Sequence, residues 1–194
     1  MSDVHSRPLR IVAVSGSPTR PSRTTALVVE VAERLARGVE GEVTVVELAP
    51  LLGELGQGVF RPQIGAAAQA ALDTVEAADV LVVGSPAYRA SYTGLFKLFF
   101  DHVGQYALVD KPIILTATGG SDRHALLVEH QMRPLFGFFQ AHTLPLGIFA
   151  GEADFSDYQV TSEDLSARID LSIRRALPLI AATATPEFAR PDVF

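Results

Sequence analysis

The 194-residue chain, 48% hydrophobic and 20% charged, is long enough for one well-buried core and too short to suggest several domains. Its formal charge of -6, with the basic residues scattered singly, excludes a general attraction to nucleic-acid backbones; the lack of cysteine excludes disulfides, thiol nucleophiles, iron–sulfur ligation and cysteine-containing zinc sites. The first ten residues are polar and no later stretch suits a bilayer, so a soluble cytoplasmic protein is expected, with residues 1–182 as one domain and 183–194 as a loosely held tail.

Strand and helix signals alternate along the chain, the pattern of a parallel sheet wrapped by helices on both faces. Residues 9–15 are a continuous apolar run suited to a central strand, and residues 24–37 follow as a helix with Leu27, Val28, Val31 and Leu35 at helical spacing. Residues 42–48 read as a second strand, and residues 49–65, which contain Gly and Pro and have no clear period, as a surface loop. An alanine-rich helix over 66–78 leads to a third strand over 80–84 that stops at Ser85-Pro86, and a helix over 92–103 follows. Residues 113–117 form the fourth strand, 118–121 a loop, 124–140 a long helix and 144–149 the fifth strand. An acidic connector over 151–162 leads to a last helix over 163–180, ended or bent near Pro178.

The loop after the first strand is the most specific feature. Ser15, Ser17, Ser22, Thr24 and Thr25 offer neutral donors, Arg20 or Arg23 offers charge, and the following helix offers unpaired N–H groups, a set that suits a phosphate monoester. The loop lacks both the lysine-containing spacing that holds a nucleoside triphosphate and the three-glycine pattern that cradles a pyrophosphate. The same residues also read as an ordinary helix cap, through Ser22 or Thr24, beside surface arginines.

In an open doubly wound sheet, ligands sit outside the carboxyl ends of the strands, where strand order reverses. With order 2-1-3-4-5, the loops after the first, third and fourth strands meet in one crevice. The first would hold a phosphate, the second would lay Tyr88 beside a planar ring, and Gly119 and Gly120 would bring bare backbone N–H groups to the ring's carbonyls. That division of labour describes a flavin mononucleotide, FMN.

Three pieces carry a family resemblance: Gly-Ser-Pro-Thr-Arg-Pro-Ser-Arg-Thr, Gly-Ser-Pro-Ala-Tyr-Arg-Ala-Ser-Tyr-Thr-Gly-Leu-Phe-Lys and Ala-Thr-Gly-Gly-Ser-Asp-Arg-His-Ala-Leu-Leu. They resemble the NADPH-dependent FMN reductases, over nearly the whole chain. The stretch from Arg123 to Ala141 looks most like the reductases of two-component sulfonate-desulfonating systems, especially the methanesulfonate-linked branch, which hand reduced FMN to a separate monooxygenase. The resemblance implies a flavodoxin-like doubly wound five-stranded parallel sheet of order 2-1-3-4-5. It assigns Ser15, Ser17, Arg20, Ser22, Arg23 and Thr24 to the FMN phosphate, Pro86, Ala87, Tyr88 and Arg89 to the ribityl chain and ring, and Thr118, Gly119, Gly120 and Ser121 to the ring edge. Pro18 and Thr19 make the first loop a variant of the commoner Gly-Ser-x-Arg pattern, which leaves Arg20 and Arg23 both open as the phosphate contact. NADPH is the nicotinamide cofactor by the same resemblance, with NADH the other candidate, and Arg89 or Arg123 would meet its 2′-phosphate. No general acid or base is assigned, because hydride passes directly from nicotinamide to flavin. With no tryptophan and no obvious pair of aromatics to sandwich the ring, an exposed ring face and modest affinity are expected.

Pro134 lacks the N–H that would bond the His130 carbonyl, so the helix over 124–140 must be disturbed at that turn. Sequence physics alone reads a proline kink; in the resembled reductases an inserted residue at the position of His130 makes a π-helix at the subunit contact. Residues 95–100 and 135–139 carry apolar side chains around most of their circumference, which predicts a partner subunit over one face, or a locally thicker core. A homodimer at least is expected, and by resemblance a tetramer.

His5, His102, His124, His130 and His142 show no metal spacing, and no metal site is expected. Asp101-His102 near Asp110 could form a catalytic dyad, but no Gly-x-Ser-x-Gly elbow accompanies it. Asp154, Asp157 and Asp164 read as a solvated loop or a cation site. The competing functions are a non-enzymatic flavodoxin-type electron carrier or redox-responsive flavin-binding module, and an azo or quinone reductase that retains its FMN.

Overall fold

The computed structural model describes residues 7–183. In chain order it runs β1 (Leu9–Ser15), α1 (Arg23–Val39), β2 (Gly41–Glu47), α2 (Leu52–Leu55), α3 (Ala66–Ala77), β3 (Val80–Pro86), α4 (Gly94–Asp101), β4 (Pro112–Thr118), α5 (Arg133–Phe138), β5 (His142–Thr143), β6 (Ile148–Ala150), β7 (Phe155–Ser156), β8 (Gln159–Val160) and α6 (Glu163–Thr183). The main sheet is parallel with order β2-β1-β3-β4-β5, and β6 also pairs with β4; β7 and β8 form a separate antiparallel hairpin.

Each central strand is buried on both sides because its residues alternate between two cores. Val12, Val14, Leu81, Val83, Ile113 and Leu115 pack with α3, α4 and α5, whereas Ile11, Ala13, Val80, Val82 and Ile114 pack with α1 and α6. α1 begins where Ser22 Oγ accepts the N–H groups of Thr24 (3.1 Å) and Thr25 (3.4 Å), and it turns Leu27, Val28, Val31, Ala32 and Leu35 to the sheet. At the amino end of the sheet, Asp79 accepts hydrogen bonds from the Arg7 guanidinium and from the Arg10 N–H and guanidinium. Burial acts to raise its carboxyl pKa, but these donors outweigh it and hold the group below the usual carboxylate range.

Several elements depart from the sequence expectation. The fifth strand, expected over 144–149, is two short strands on either side of Pro145, which offers no N–H for a ladder, so that β4 is met first by His142–Thr143 and then by Ile148–Ala150. The stretch 49–65 holds 3-10 turns at Ala49–Leu51 and Arg61–Gln63 and one α-helical turn, α2. It is stitched to α3, where Arg61 pairs with Asp73 and Glu76 and Glu54 accepts the Ala68 N–H. The helix expected from residue 92 starts only at Gly94, with Thr93 as its cap. Pro178 does not end α6, which continues to Thr183; the remainder of the expected tail, residues 184–194, lies outside the described residues, as does His5.

The segment expected as one helix over 124–140 is a 3-10 turn (Asp122–His124), a π-helical turn (Val128–Met132) and α5. The Arg133 N–H bonds the Val128 carbonyl, five residues back, and Pro134 then falls in the first turn of α5, where its missing N–H costs nothing. Arg133 braces the turn by donating to both Glu129 oxygens (2.6 and 2.8 Å) and to the Leu144 carbonyl (3.2 Å). Those hydrogen bonds hold the Glu129 carboxyl below its ordinary pKa against the opposing effect of burial. His130 and Pro134 are both exposed.

The aromatic segments mostly supply the core they sit in. Phe96, Phe99, Phe100, Phe136 and Phe139 are buried in one cluster of tilted and edge-on rings, so the thicker-core reading accounts for them, and Phe138 alone of this group is left 62% exposed.

Candidate functional site

A cleft of about 290 Å³ opens at the carboxyl end of the sheet, between the loops after β1, β3, β4 and β6. One of its walls is fixed by buried hydroxyls. Ser15 Oγ bonds Thr25 Oγ1 (2.8 Å), and Thr24 Oγ1 bonds Thr118 Oγ1 (2.7 Å), which ties α1 to the end of β4. Thr93 caps α4 by accepting the Phe96 N–H (3.1 Å), donates to the Gly16 carbonyl (2.8 Å), and gives its own N–H to Ser85 Oγ (3.0 Å). Gly16 must lack a side chain, since a Cβ there would stand 2.5 Å from Phe96 Cδ2.

Ten of the fourteen expected cofactor residues line this cleft: Ser17, Ser22, Arg23, Thr24, Pro86, Ala87, Tyr88, Thr118, Gly119 and Gly120. The other four do not. Ser15 is buried behind the wall with its hydroxyl on Thr25, and Arg20 is drawn to the end of β2, where it pairs with Glu47. Arg89 lies in a tight turn in which Tyr88 and Ser91 exchange backbone hydrogen bonds and both Arg89 and Ala90 have positive φ. Ser121 caps the 3-10 turn after it by accepting the Arg123 N–H.

The two glycines differ as well. Gly119 N–H is committed to the Ala150 carbonyl (3.1 Å) and its Cα packs so close to Phe149 that a Cβ would meet the ring at 3.0 Å. Gly120 has nothing within 4 Å of the Cβ position and no partner for its N–H among the described residues, so of the pair it alone presents a free donor. Among the phosphate-loop donors, Ser22 keeps its hydroxyl proton while accepting two N–H groups, and the Arg23 N–H has no partner among the described residues. Together with the Arg23 guanidinium these suit a phosphate monoester at the start of α1 better than the neutral hydroxyls of Ser15 and Thr24, which are engaged with Thr25 and Thr118.

Sequence reading missed the opposite wall: Ala150, Gly151, Glu152 and Tyr158, together with Thr19 and Pro21 of the first loop. The signal was available, because a loop following the last sheet strand must emerge at the same rim as the others. Tyr158 stands at the turn of the β7–β8 hairpin with positive φ, as does Asp157, and it is a second aromatic lining the cleft that Tyr88 also lines.

The remaining sequence candidates go elsewhere. Asp154 accepts the Gly151 N–H (2.7 Å) and shapes the turn after β6. Asp101 pairs with Lys97 and Asp110 with His142 (3.3 Å), so neither forms a dyad with His102, whose Nε2 is buried with no partner among the described residues.

Comparison with known proteins places this arrangement in a lineage. The NADPH-dependent FMN reductase family model matches residues 9–155. The chain is 49% identical over 181 residues to an NADH-dependent FMN reductase, SfnF, of Pseudomonas fluorescens, covering 93% of this chain and 97% of that one. It is equally 49% identical over 172 residues to an FMN reductase (NADPH) of Pseudomonas aeruginosa, covering 89% and 92%. An oxidoreductase structure from Corynebacterium diphtheriae superposes with a TM-score of 0.80 at 30% identity, covering 91% of this chain and 99% of that one. Because the match takes in every strand of the main sheet and every cleft-lining residue except Tyr158, the chain belongs to the NADPH-dependent FMN reductase family.

Proposed function

We propose that this chain reduces FMN with a nicotinamide dinucleotide at the cleft above the sheet and passes the reduced flavin to a separate monooxygenase, within sulfonate desulfonation and most closely of the methanesulfonate-linked kind. The observation that carries the reading is the meeting, on one rim, of a phosphate-competent helix start (Ser22, Arg23), an exposed tyrosine (Tyr88) and a backbone donor with open space in front of it (Gly120). When bound, FMN supplies the two-electron acceptor chemistry for hydride leaving the nicotinamide. The chain's own residues bind and orient. Arg23, its N–H and the Ser22 hydroxyl take the phosphate, with Thr19, Ser17 and Thr24 around it; Pro86, Ala87 and Tyr88 flank the ribityl chain and ring. The Gly120 N–H points a dipole at the ring edge, where negative charge develops on reduction. Arg23, which lines the cleft, is favoured over Arg20, which Glu47 holds. Hydride transfer needs no side-chain acid or base here, so the protein's work is to hold two planar groups at near-attack distance.

Steady-state NADH and NADPH oxidation with FMN, FAD and riboflavin compared tests this. FMN is expected to turn over fastest, and riboflavin, without a phosphate, to lose most of the rate. Faster turnover with a quinone and no gain from free FMN would reverse the assignment in favour of an acceptor reductase with retained flavin; protein that stays yellow through dialysis and is inert to NADPH would favour an electron carrier. The reading also includes a cytoplasmic location and an assembly of identical subunits, a tetramer on the resembled pattern. Phe138, Leu135 and Phe139, which line an apolar groove between α4 and α5, support that assembly, and light scattering measures its mass.

A further inference from the structure

Among the residues lining the cleft, only Arg23 and Glu152 carry formal charge, and they are paired to each other: Arg23 Nη2 donates to Glu152 Oε1 at 2.6 Å. The two come from opposite walls, 129 positions apart in sequence. Glu152 is not a drifting surface group at its backbone. Asp154 accepts the Gly151 N–H on one side, and the Asp154 carbonyl accepts the N–H groups of Thr161 (2.9 Å) and Ser162 (3.3 Å) on the other, so the turn that carries Glu152 is anchored at both ends. Its side chain, in contrast, is 67% exposed and free to swing away. A carboxylate held in this way occupies the guanidinium that a phosphate monoester would use, with similar acceptor geometry and about half the charge.

We propose that Glu152 is an internal competitor for Arg23, displaced when a phosphate monoester enters and restored when it leaves, and so a residue that sets how readily phosphorylated flavin is released. The inference rests on the reading of the cleft as an FMN site. A phosphate arriving at the pair must break it and then share the cleft with the freed carboxylate, and both effects lower affinity for the dianion while leaving an uncharged ligand untouched. A chain whose product must depart to another protein gains from such a weakening, because reduced flavin bound too tightly would not be delivered.

The test compares FMN and riboflavin binding, by flavin fluorescence, to the wild-type chain and to Glu152→Gln and Glu152→Asp. Glu152→Gln is expected to tighten FMN about three- to tenfold at low salt and to slow its dissociation, with riboflavin changed by less than about twofold. Glu152→Asp, which keeps the charge, is expected to stay near wild type, and the gain in Glu152→Gln is expected to shrink as salt is raised. Equal shifts for FMN and riboflavin, or no tightening of FMN, would overturn the inference while the phosphate reading stands. A Glu152→Gln chain that binds FMN no better than riboflavin would instead overturn the phosphate reading itself, and this inference with it. Thermal midpoints of both variants report that the fold is intact.

Discussion

The two walls of the cleft are built on different physics. The wall made by the loops after β1, β3 and β4 is fixed by neutral hydroxyls, with Thr24 on Thr118 and Thr93 on Gly16 buried and Ser15 on Thr25 partly buried. The wall made by residues 150–158 hangs from β6, where Ala150 accepts the Gly119 N–H, and continues as an anchored turn and a two-stranded hairpin whose side-chain tie across the cleft is an exposed ion pair. Hydrogen bonds between uncharged buried groups are indifferent to salt and intolerant of substitution, whereas an exposed ion pair is worth little and is easily exchanged. One wall therefore holds position and the other can yield to a ligand.

The largest expected effect comes from crowding the fixed wall. A Cβ at Gly84 would stand 2.5 Å from both Thr116 Oγ1 and Val28 Cγ1, so Gly84→Ala is expected to lower stability by about 3 kcal/mol in denaturant titration. A neutral result would mean the wall is softer than its hydrogen bonds suggest. Thr93→Val removes the hydroxyl that serves both Gly16 and Phe96, and is expected to cost about 2 kcal/mol and to weaken FMN binding, since the loops after β1 and β3 lose their common tie. Asp79→Asn acts at the far end of the sheet and is expected to cost about 1 kcal/mol, discounted because Arg7 and Arg10 are half exposed, with FMN affinity unchanged. Because the folded carboxyl of Asp79 is held below its ordinary value, its contribution is present above about pH 4 and lost as the pH falls further; the acid limb of the stability profile should be shallower in the variant. The smallest effect is a gain. Ala90 has φ 68, in the left-handed region, and Ala90→Gly is expected to raise stability by about 0.5 kcal/mol, the relief of strain exceeding the added freedom of the unfolded chain.

The fixed wall was legible in the sequence because its residues end continuous apolar strands, and the rule that ligands gather at the carboxyl rim then brings Ser17, Tyr88 and Gly120 together without any distance being known. The yielding wall was open to the same rule, since a strand expected over 144–149 ends within a residue of Ile148–Ala150 and its loop must reach the same rim; what spacing does not express is that the acidic connector after it turns Glu152 and Tyr158 into the cleft. Arg20 and Arg23 could not be ranked from spacing, since what separates them is which carboxylate each meets, Glu47 or Glu152, and those partners are distant in sequence. The stretch 49–65 was read as loop because turns of three or four residues are too short to express a period, although the pairing of Arg61 with Asp73 and Glu76 gives it a fixed course.

The π-helical turn at Val128–Met132 has a bearing on how any substitution scan across this segment must be interpreted. One added residue rotates everything after it by about 100° about the helix axis relative to everything before it. A helical wheel drawn straight through residues 124–140 therefore carries that phase error past Met132, and the faces of α5 have to be assigned on a wheel of its own, begun at Arg133.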